Sequence, residues 1–348
     1  MRIKLIWSAI LIGLFFCSAH LLASEIKEKA YLEDRAFKNL EGEIQRAEHL
    51  AGGIVGVSAL HLETGRKIGL NAQERFPMAS VYKIPIAVQL LRRVDQGELS
   101  LDKMITIQAN DLRPGSSLIS SYLSSPGVTL SVRNLLELML VASDNTATDI
   151  LLRLAGGPQT VTARLRDMGI LDMDVSRPTI NLIADATGFI LPAEKEWNLD
   201  LLKKLHDQVP PEIQKAAAER FVNDTRDTTT PAAMVQLLKS IYQGEFLKGE
   251  TKNLLWDMMS RCQTGRSRIK GFLLPETVVA HKTGTIAGIT NDAGLIKLPN
   301  NDGTIALAIF IKLSAKDISD RERAIAHISR TIYDYFLFHP YPPANFAK

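Results

Sequence analysis

Cysteine is nearly absent from this 348-residue chain, which has only Cys17 and Cys262. Cys17 lies in an apolar N-terminal stretch, so once that stretch is removed Cys262 stands alone. An internal disulfide and a three-cysteine zinc site are then excluded, and the core alone must hold the fold. No charge of one sign dominates either: 41 Lys and Arg stand against 38 Asp and Glu, for a net +3. No basic run is long enough to serve as a nucleic-acid footprint. Past the N-terminal stretch no segment approaches the roughly 18 apolar residues of a membrane span. Internal repeats and low-complexity tracts are missing too. What remains is 46% hydrophobic and 23% charged residues, the balance of a globular protein rather than a disordered or collagen-like one. The length suits one or two domains.

The N-terminus reads as a separate object. Arg2 and Lys4 precede the apolar run from Leu5 to Phe16, and Leu21-Leu22-Ala23 offers a small-residue cleavage site before Ser24. This is the pattern of a secretory signal over residues 1–23, too short for a comfortable span. The expected product is an exported domain, 24–348, in the periplasm or outside the cell and without stable membrane association.

Periodicity divides the rest. Helical spacing is expected over 34–50, 130–141, 145–154, 160–168, 199–207, 212–221, 231–242, 252–260 and about 320–336. A hairpin is expected at 54–70 around Glu63-Thr64-Gly65-Arg66, with further strands at 278–282, 292–297 and 304–313. Strands therefore sit at both ends and helices between them. The expected class is α+β: an antiparallel sheet built from both termini with packed helices (about 34–75 and 232–338), plus an all-helical part (about 80–231). The segment 177–231 is the least patterned, punctuated by Pro178, Pro192, Pro210-Pro211 and Pro231.

Three short motifs carry chemistry. Ser80-Val81-Tyr82-Lys83 opens an apolar helical stretch, so Lys83 falls on the face of Ser80, one turn along. A serine hydroxyl needs a base before it attacks, and a desolvated lysine can be one. The helix N-terminus adds positive potential there. Ser143-Asp144-Asn145 stands between two helices, where an N-cap is also expected. Lys282-Thr283-Gly284-Thr285 ends an apolar strand. It offers a lysine and two hydroxyls to an anion, with a glycine that lets a ligand approach the backbone. Each motif alone equally describes a helix cap, a solvated lysine or a strand exit.

In this order the motifs carry the signature of class A β-lactamases and penicillin-binding proteins, and the chain resembles a class A serine β-lactamase. Similar stretches are Val141–Leu152, Arg226–Met234, Thr264-Gly265 with Arg268-Ile269, and His281–Thr285 with Asn291-Asp292. The resemblance covers about 40–338. It implies that Ser80 attacks the lactam carbonyl and carries the acyl group, with Lys83 taking part in its activation. Ser143 would pass a proton to the leaving nitrogen, beside Lys282. Lys282, Thr283 and Thr285 would hold the substrate carboxylate, next to Gly284, and Asn145 the substrate's side-chain amide. The backbone N–H groups of Ser80 and Thr285 would bind the oxyanion. Arg268 or Lys270 is expected to add a second cation. The implied substrate is a small-molecule β-lactam, the implied state a monomer, and no metal or cofactor is implied.

One part departs from the family pattern. The loop expected to carry the deacylating glutamate is several tens of residues too long, its ends being Ser176-Arg177 and Arg226-Asp227. A salt bridge between Arg177 or a neighbour and Asp227 is expected to close it. Inside it Glu194 and Asn198 have the required Glu-x-x-x-Asn spacing and are expected to be the base and its water-holding partner; Asn181, Glu196, Glu212 and Glu219 compete. Two other functions stay open: a D-alanyl-D-alanine carboxypeptidase or related penicillin-binding hydrolase, and a module that senses β-lactams by becoming acylated. Only the deacylation machinery separates the first of these from a lactamase.

Overall fold

The structure is a computed structural model that describes residues 35–124 and 128–339; the expected signal at 1–23 lies outside them. The chain is helical over 35–51 (α1) and then forms the hairpin β1 (Ile54–His61) and β2 (Lys67–Leu70), followed by the short β3 (Phe76–Pro77). A 3-10 turn, Ala79–Tyr82, runs straight into α2 (Lys83–Asp95). The helical part continues with β4 (Met104–Thr106), α3 (Leu118–Tyr122), β5 (Thr129–Ser131), α4 (Val132–Val141), α5 (Asn145–Leu154) and α6 (Pro158–Asp167). The long segment folds as α7 (Thr179–Thr187), α8 (Leu199–Asp207) and α9 (Pro211–Val222). It returns through β6 (Thr228–Thr229), paired with β3, to α10 (Pro231–Gln243) and α11 (Gly249–Ser260). The chain then forms β7 (Val279–Ile286), β8 (Ile289–Lys297), β9 (Thr304–Lys312) and α12 (Ile318–Phe338).

The class is α+β, as expected. Five antiparallel strands lie in the order β2-β1-β9-β8-β7, so N-terminal and C-terminal strands meet at β1 and β9. The period of two along β9 explains the layering. Ile305, Leu307, Ile309 and Ile311 face a core shared with α1 and α12. Ala306, Ala308 and Phe310 face the other core, shared with α2, α4, α5, α10 and α11. Both faces of the sheet are thus covered, and β7 is left as an edge.

The long segment has small cores of its own. Ile180, Ala184, Phe189 and Leu202 join α7 to α8, while Leu182, Ala186, Phe221 and Val222 join α7 to α9 and to Ile289 at the start of β8. α7 was not among the expected helices. Its nine residues have no capping side chain, and it stops at Gly188, whose φ of 88° ends the helix. Packing against α8 and α9, rather than its own signals, accounts for it.

Candidate active site

Ser80 does not open the α-helix. It sits in the 3-10 turn, and Lys83, the first residue of α2, follows it there. Side chains three residues apart eclipse in a 3-10 turn, so Ser80 and Lys83 stack on one side. Ala79, just before Ser80, is held at φ 47°, and Ser143 at φ 60°. Both are left-handed conformations that non-glycine residues seldom adopt and that the surroundings must impose. For Ala79 part of the imposition is visible: Asn291 Nδ2 donates to Pro77 O (2.8 Å) and Met78 O (3.0 Å), pinning the segment to β8.

The edge strand β7 comes up to the same turn. A Cβ on Gly284 would stand 2.5 Å from Met78 O and 3.0 Å from Ser80 N, so glycine is required by this close approach. Alternation along β7 then sorts the motif. Lys282 faces the group around Ser143, whereas Thr283 and Thr285 meet Thr264 and Arg268. Thr283 Oγ1 and Thr264 Oγ1 lie 2.5 Å apart, and Arg268 Nη2 donates to Thr285 Oγ1 at 2.6 Å.

At the floor, one hydroxyl joins two lysines. Lys83 Nζ donates to Ser143 O (2.7 Å), Asn145 Oδ1 (3.1 Å) and Ser143 Oγ (3.2 Å). Lys282 Nζ donates to the same Oγ at 2.9 Å and to Thr283 O at 3.0 Å. Both lysines are fully buried, and neither forms an ion pair with a carboxylate among the described residues. Burial therefore dominates their titration. Lys83 is held well below the ordinary lysine value by burial and then by the repulsion of Lys282, against the pull of Asp144 and Asp149. Burial brings Lys282 down to about 8, against the pull of Cys262 and Asp292. Two buried lysines thus share the Ser143 hydroxyl, each held toward its neutral form and neither with a countercharge among the described residues.

Asp144 and Asp149 lie near Lys83 but are committed elsewhere. Asp144 caps α5 through Ala147 N (2.8 Å) and accepts from Ile119 N and Ser117 Oγ at 3.0 Å. Asp149 accepts from Arg113 Nε (2.7 Å) and Thr179 N (2.6 Å), all three residues being buried.

The structure brings together Ser80, Lys83, Ser143, Asn145, Lys282 and Gly284, with Thr283 and Thr285 on the adjoining face of β7. Asn145 has its amide engaged at both ends, since Nδ2 donates to Pro114 O at 3.2 Å. Of the two candidate extra cations, Arg268 lies beside Thr285, while Lys270 donates to Ser260 O. The loop is closed by Arg177 Nε on Asp227 Oδ2 at 2.7 Å. Glu194 and Asn198 are not gathered with this group. Glu194 is exposed on a short 3-10 turn, and no hydrogen bond from another described residue engages its carboxylate. The Asn198 amide caps α8, accepting from Leu201 N at 2.9 Å and donating to Glu196 O at 3.3 Å. A four-residue spacing that suggested a water clamp here serves a helix start. Motif reading quoted Thr264 and Asn291 without giving either a contact, and it missed the buried pair Tyr82 OH and Thr179 Oγ1, 2.5 Å apart. None has a spacing signal, because each partner comes from a distant element.

The sequence matches the β-lactamase enzyme family over residues 39–336. This chain belongs to that family. It is 28% identical to β-lactamase VEB-1 of Pseudomonas aeruginosa, over 86% of this chain and 91% of that one. With the extended-spectrum β-lactamase PER-1 of the same organism it shares 31%, over 81% and 82%. An ancestral class A β-lactamase superposes with a TM-score of 0.69 at 31% identity, covering 85% of this chain and 99% of the other. The family's activity, serine-dependent hydrolysis of β-lactams, is thus the activity of this fold. In this β-lactamase the 177–226 segment folds as α7, α8 and α9 and is closed by Arg177 on Asp227.

Proposed function

We propose that this β-lactamase opens the lactam ring by attack of Ser80 Oγ on the lactam carbonyl. One observation carries the reading: a single hydroxyl, Ser143 Oγ, lies within hydrogen-bond distance of two buried lysines that have no carboxylate partner among the described residues. Neutral Lys83, stacked beside Ser80, takes the hydroxyl proton as Ser80 Oγ bonds to the carbonyl carbon. The C–N bond then breaks as Ser143 hands its proton to the leaving nitrogen, and the Lys83 ammonium returns a proton to Ser143 Oγ while Lys282 holds that hydroxyl. The developing oxyanion is served by the backbone N–H groups of Ser80 and Thr285, where β7 meets the 3-10 turn. Lys282 and the Thr283–Thr285 face, backed by Arg268, receive the substrate carboxylate. Asn145 lines the side-chain end of the substrate.

Every side chain in this account comes from one chain, so a monomer suffices. The working form is the exported domain 24–348, freed from residues 1–23. Among the described residues no helix is long and apolar enough to cross a membrane.

The test is covalent. A penicillin incubated with the protein should add its mass to the peptide holding Ser80, and a chromogenic cephalosporin should be hydrolysed. Ser80→Ala should abolish both. An adduct or turnover that survives the substitution would remove Ser80 from the chemistry.

A further inference from the structure

We propose that Lys83, rather than a carboxylate, is the base that deprotonates the water attacking the ester on Ser80. The proposal rests on the acyl-enzyme reading above. Water at neutral pH attacks an ester slowly, and a positioned base contributes about 10²–10⁴-fold. The surroundings of Ser80 narrow the choice of that base. Asp144 and Asp149 face Lys83 from the α5 side, but their oxygens are taken up by Ala147 N, Ile119 N, Ser117, Arg113 and Thr179 N. Asp227 is engaged by Ser176 N and Arg177.

The 178–226 segment supplies no better candidate. Each of its Asp and Glu residues is exposed, or is paired with Arg177 or Arg226. Where the segment leaves Arg177 it presents Thr179, not an acid, and Thr179 is buried with its hydroxyl on Tyr82 OH. The root of the loop is therefore closed by two neutral hydroxyls against the Asp149–Arg113 pair. Lys83 and Lys282 are buried amines without an ion pair among the described residues; of the two, Lys83 lies one turn along from Ser80, and Lys282, facing it from β7, disfavours its protonation.

The step balances. Neutral Lys83 Nζ takes a proton from water as the water oxygen bonds to the ester carbon. The tetrahedral adduct collapses with cleavage of the bond to Ser80 Oγ. The Lys83 ammonium returns its proton to that oxygen, leaving the acid product, free serine and neutral amine. One lysine thus serves both halves of the cycle.

The experiment follows loss of a preformed penicillin adduct from the wild-type protein by intact mass across pH 5–10. The expected rate climbs about tenfold per pH unit and then levels, as for a base with a lysine's titration. Glu194→Gln and Glu196→Gln should release the adduct within about twofold of wild type. Lys83→Ala, loaded slowly with excess drug, should release it at least about a hundredfold more slowly. If that variant takes no adduct, the wild-type profile decides alone. A half-height near pH 4–5, or a hundredfold loss in either glutamine variant, overturns the proposal in favour of a carboxylate. A rate proportional to hydroxide with no plateau, or no release at any pH, also overturns it while leaving Ser80 acylation intact. Absence of any adduct on Ser80 overturns the acyl-enzyme reading and this proposal with it.

Discussion

Arg177 and Lys83 are both buried basic side chains, and the protein treats them in opposite ways. Arg177 is ringed by carboxylates: Asp227 on Nε, and Asp185 and Asp224 on Nη1. Lys83 meets a carbonyl, an amide and a hydroxyl, and its second neighbour is another lysine. The first arrangement neutralises charge where the loop is anchored. The second leaves a buried amine without a countercharge, which costs stability and disfavours its protonated form. Geometry alone does not separate the two places, since both hold short hydrogen bonds among buried groups. The presence or absence of carboxylates does.

The largest expected effect comes from breaking the paired side. Arg177→Ala leaves Asp227, which is 1% exposed, as a buried carboxylate whose charged partner is gone. Its burial already pushes its carboxyl upward, and Arg177 is among the groups that hold it down. Removing one member of a buried pair costs about 3–5 kcal/mol. Urea unfolding should show that loss at pH 7. A loss below about 1 kcal/mol would mean that water reaches Asp227 and that the loop closure is no more than a surface bridge.

Lys282→Met is the reverse test on the unpaired side. The substitution removes a charge-assisted contact worth about 1.5–3 kcal/mol, so kcat/KM on carboxylate-bearing lactams should fall roughly ten- to hundredfold. Stability should move the other way. Lys282 titrates at about 8 in the folded protein, against an ordinary value of 10.5. The unfolded chain therefore binds more protons between those values, and the folded state's advantage rises with pH across that window. Below pH 8 the lysine costs about 3 kcal/mol on this basis, less the two hydrogen bonds it makes. Methionine should gain about 1–2 kcal/mol at pH 7, with the gain shrinking toward pH 10.5. A variant that is less stable than wild type at pH 7 would mean that Lys282 is well solvated by its hydrogen bonds.

The two sides also differed in how far they could be read from sequence. Ser80, Lys83, Ser143 and Lys282 stand in motifs, and the periods of 3.6 and 2 set out the helices and strands that bring them together. The sheet of both termini followed from where the apolar alternating runs lie. Motifs do not say which face a residue presents inside an irregular turn, so the 3-10 start at Ala79 was not legible. The Arg177–Asp227 bridge could be inferred from the loop's two ends. What lies between could be read only in part: α8 and α9 have clear periodicity, whereas α7 owes its helix to its neighbours. Thr179 on Tyr82 is a contact between residues 97 apart in the chain, and no local pattern announces it.

The smallest effect sharpens the same contrast at Glu194 and Asn198, where spacing alone had suggested chemistry. Asn198 has extended backbone angles, and its Oδ1 accepts from Leu201 N, three residues on, which is the geometry of an N-cap. Replacing such a cap by alanine typically costs about 1 kcal/mol. Because α8 packs through Leu202 into the small core with Ile180, Ala184 and Phe189, that cost should appear as a lower urea midpoint for Asn198→Ala. The amide is engaged at both ends within its own turn, and Asn198 is not gathered with Ser80, Lys83, Ser143 and Lys282. Steady-state kcat and the rate of adduct release should therefore stay within about twofold of wild type. Ser and Asp, which cap equally well, should restore the midpoint, although neither reproduces an amide. A tenfold fall in adduct release with an unchanged midpoint would instead put Asn198 beside the reacting ester, and the helix cap would be the incidental feature.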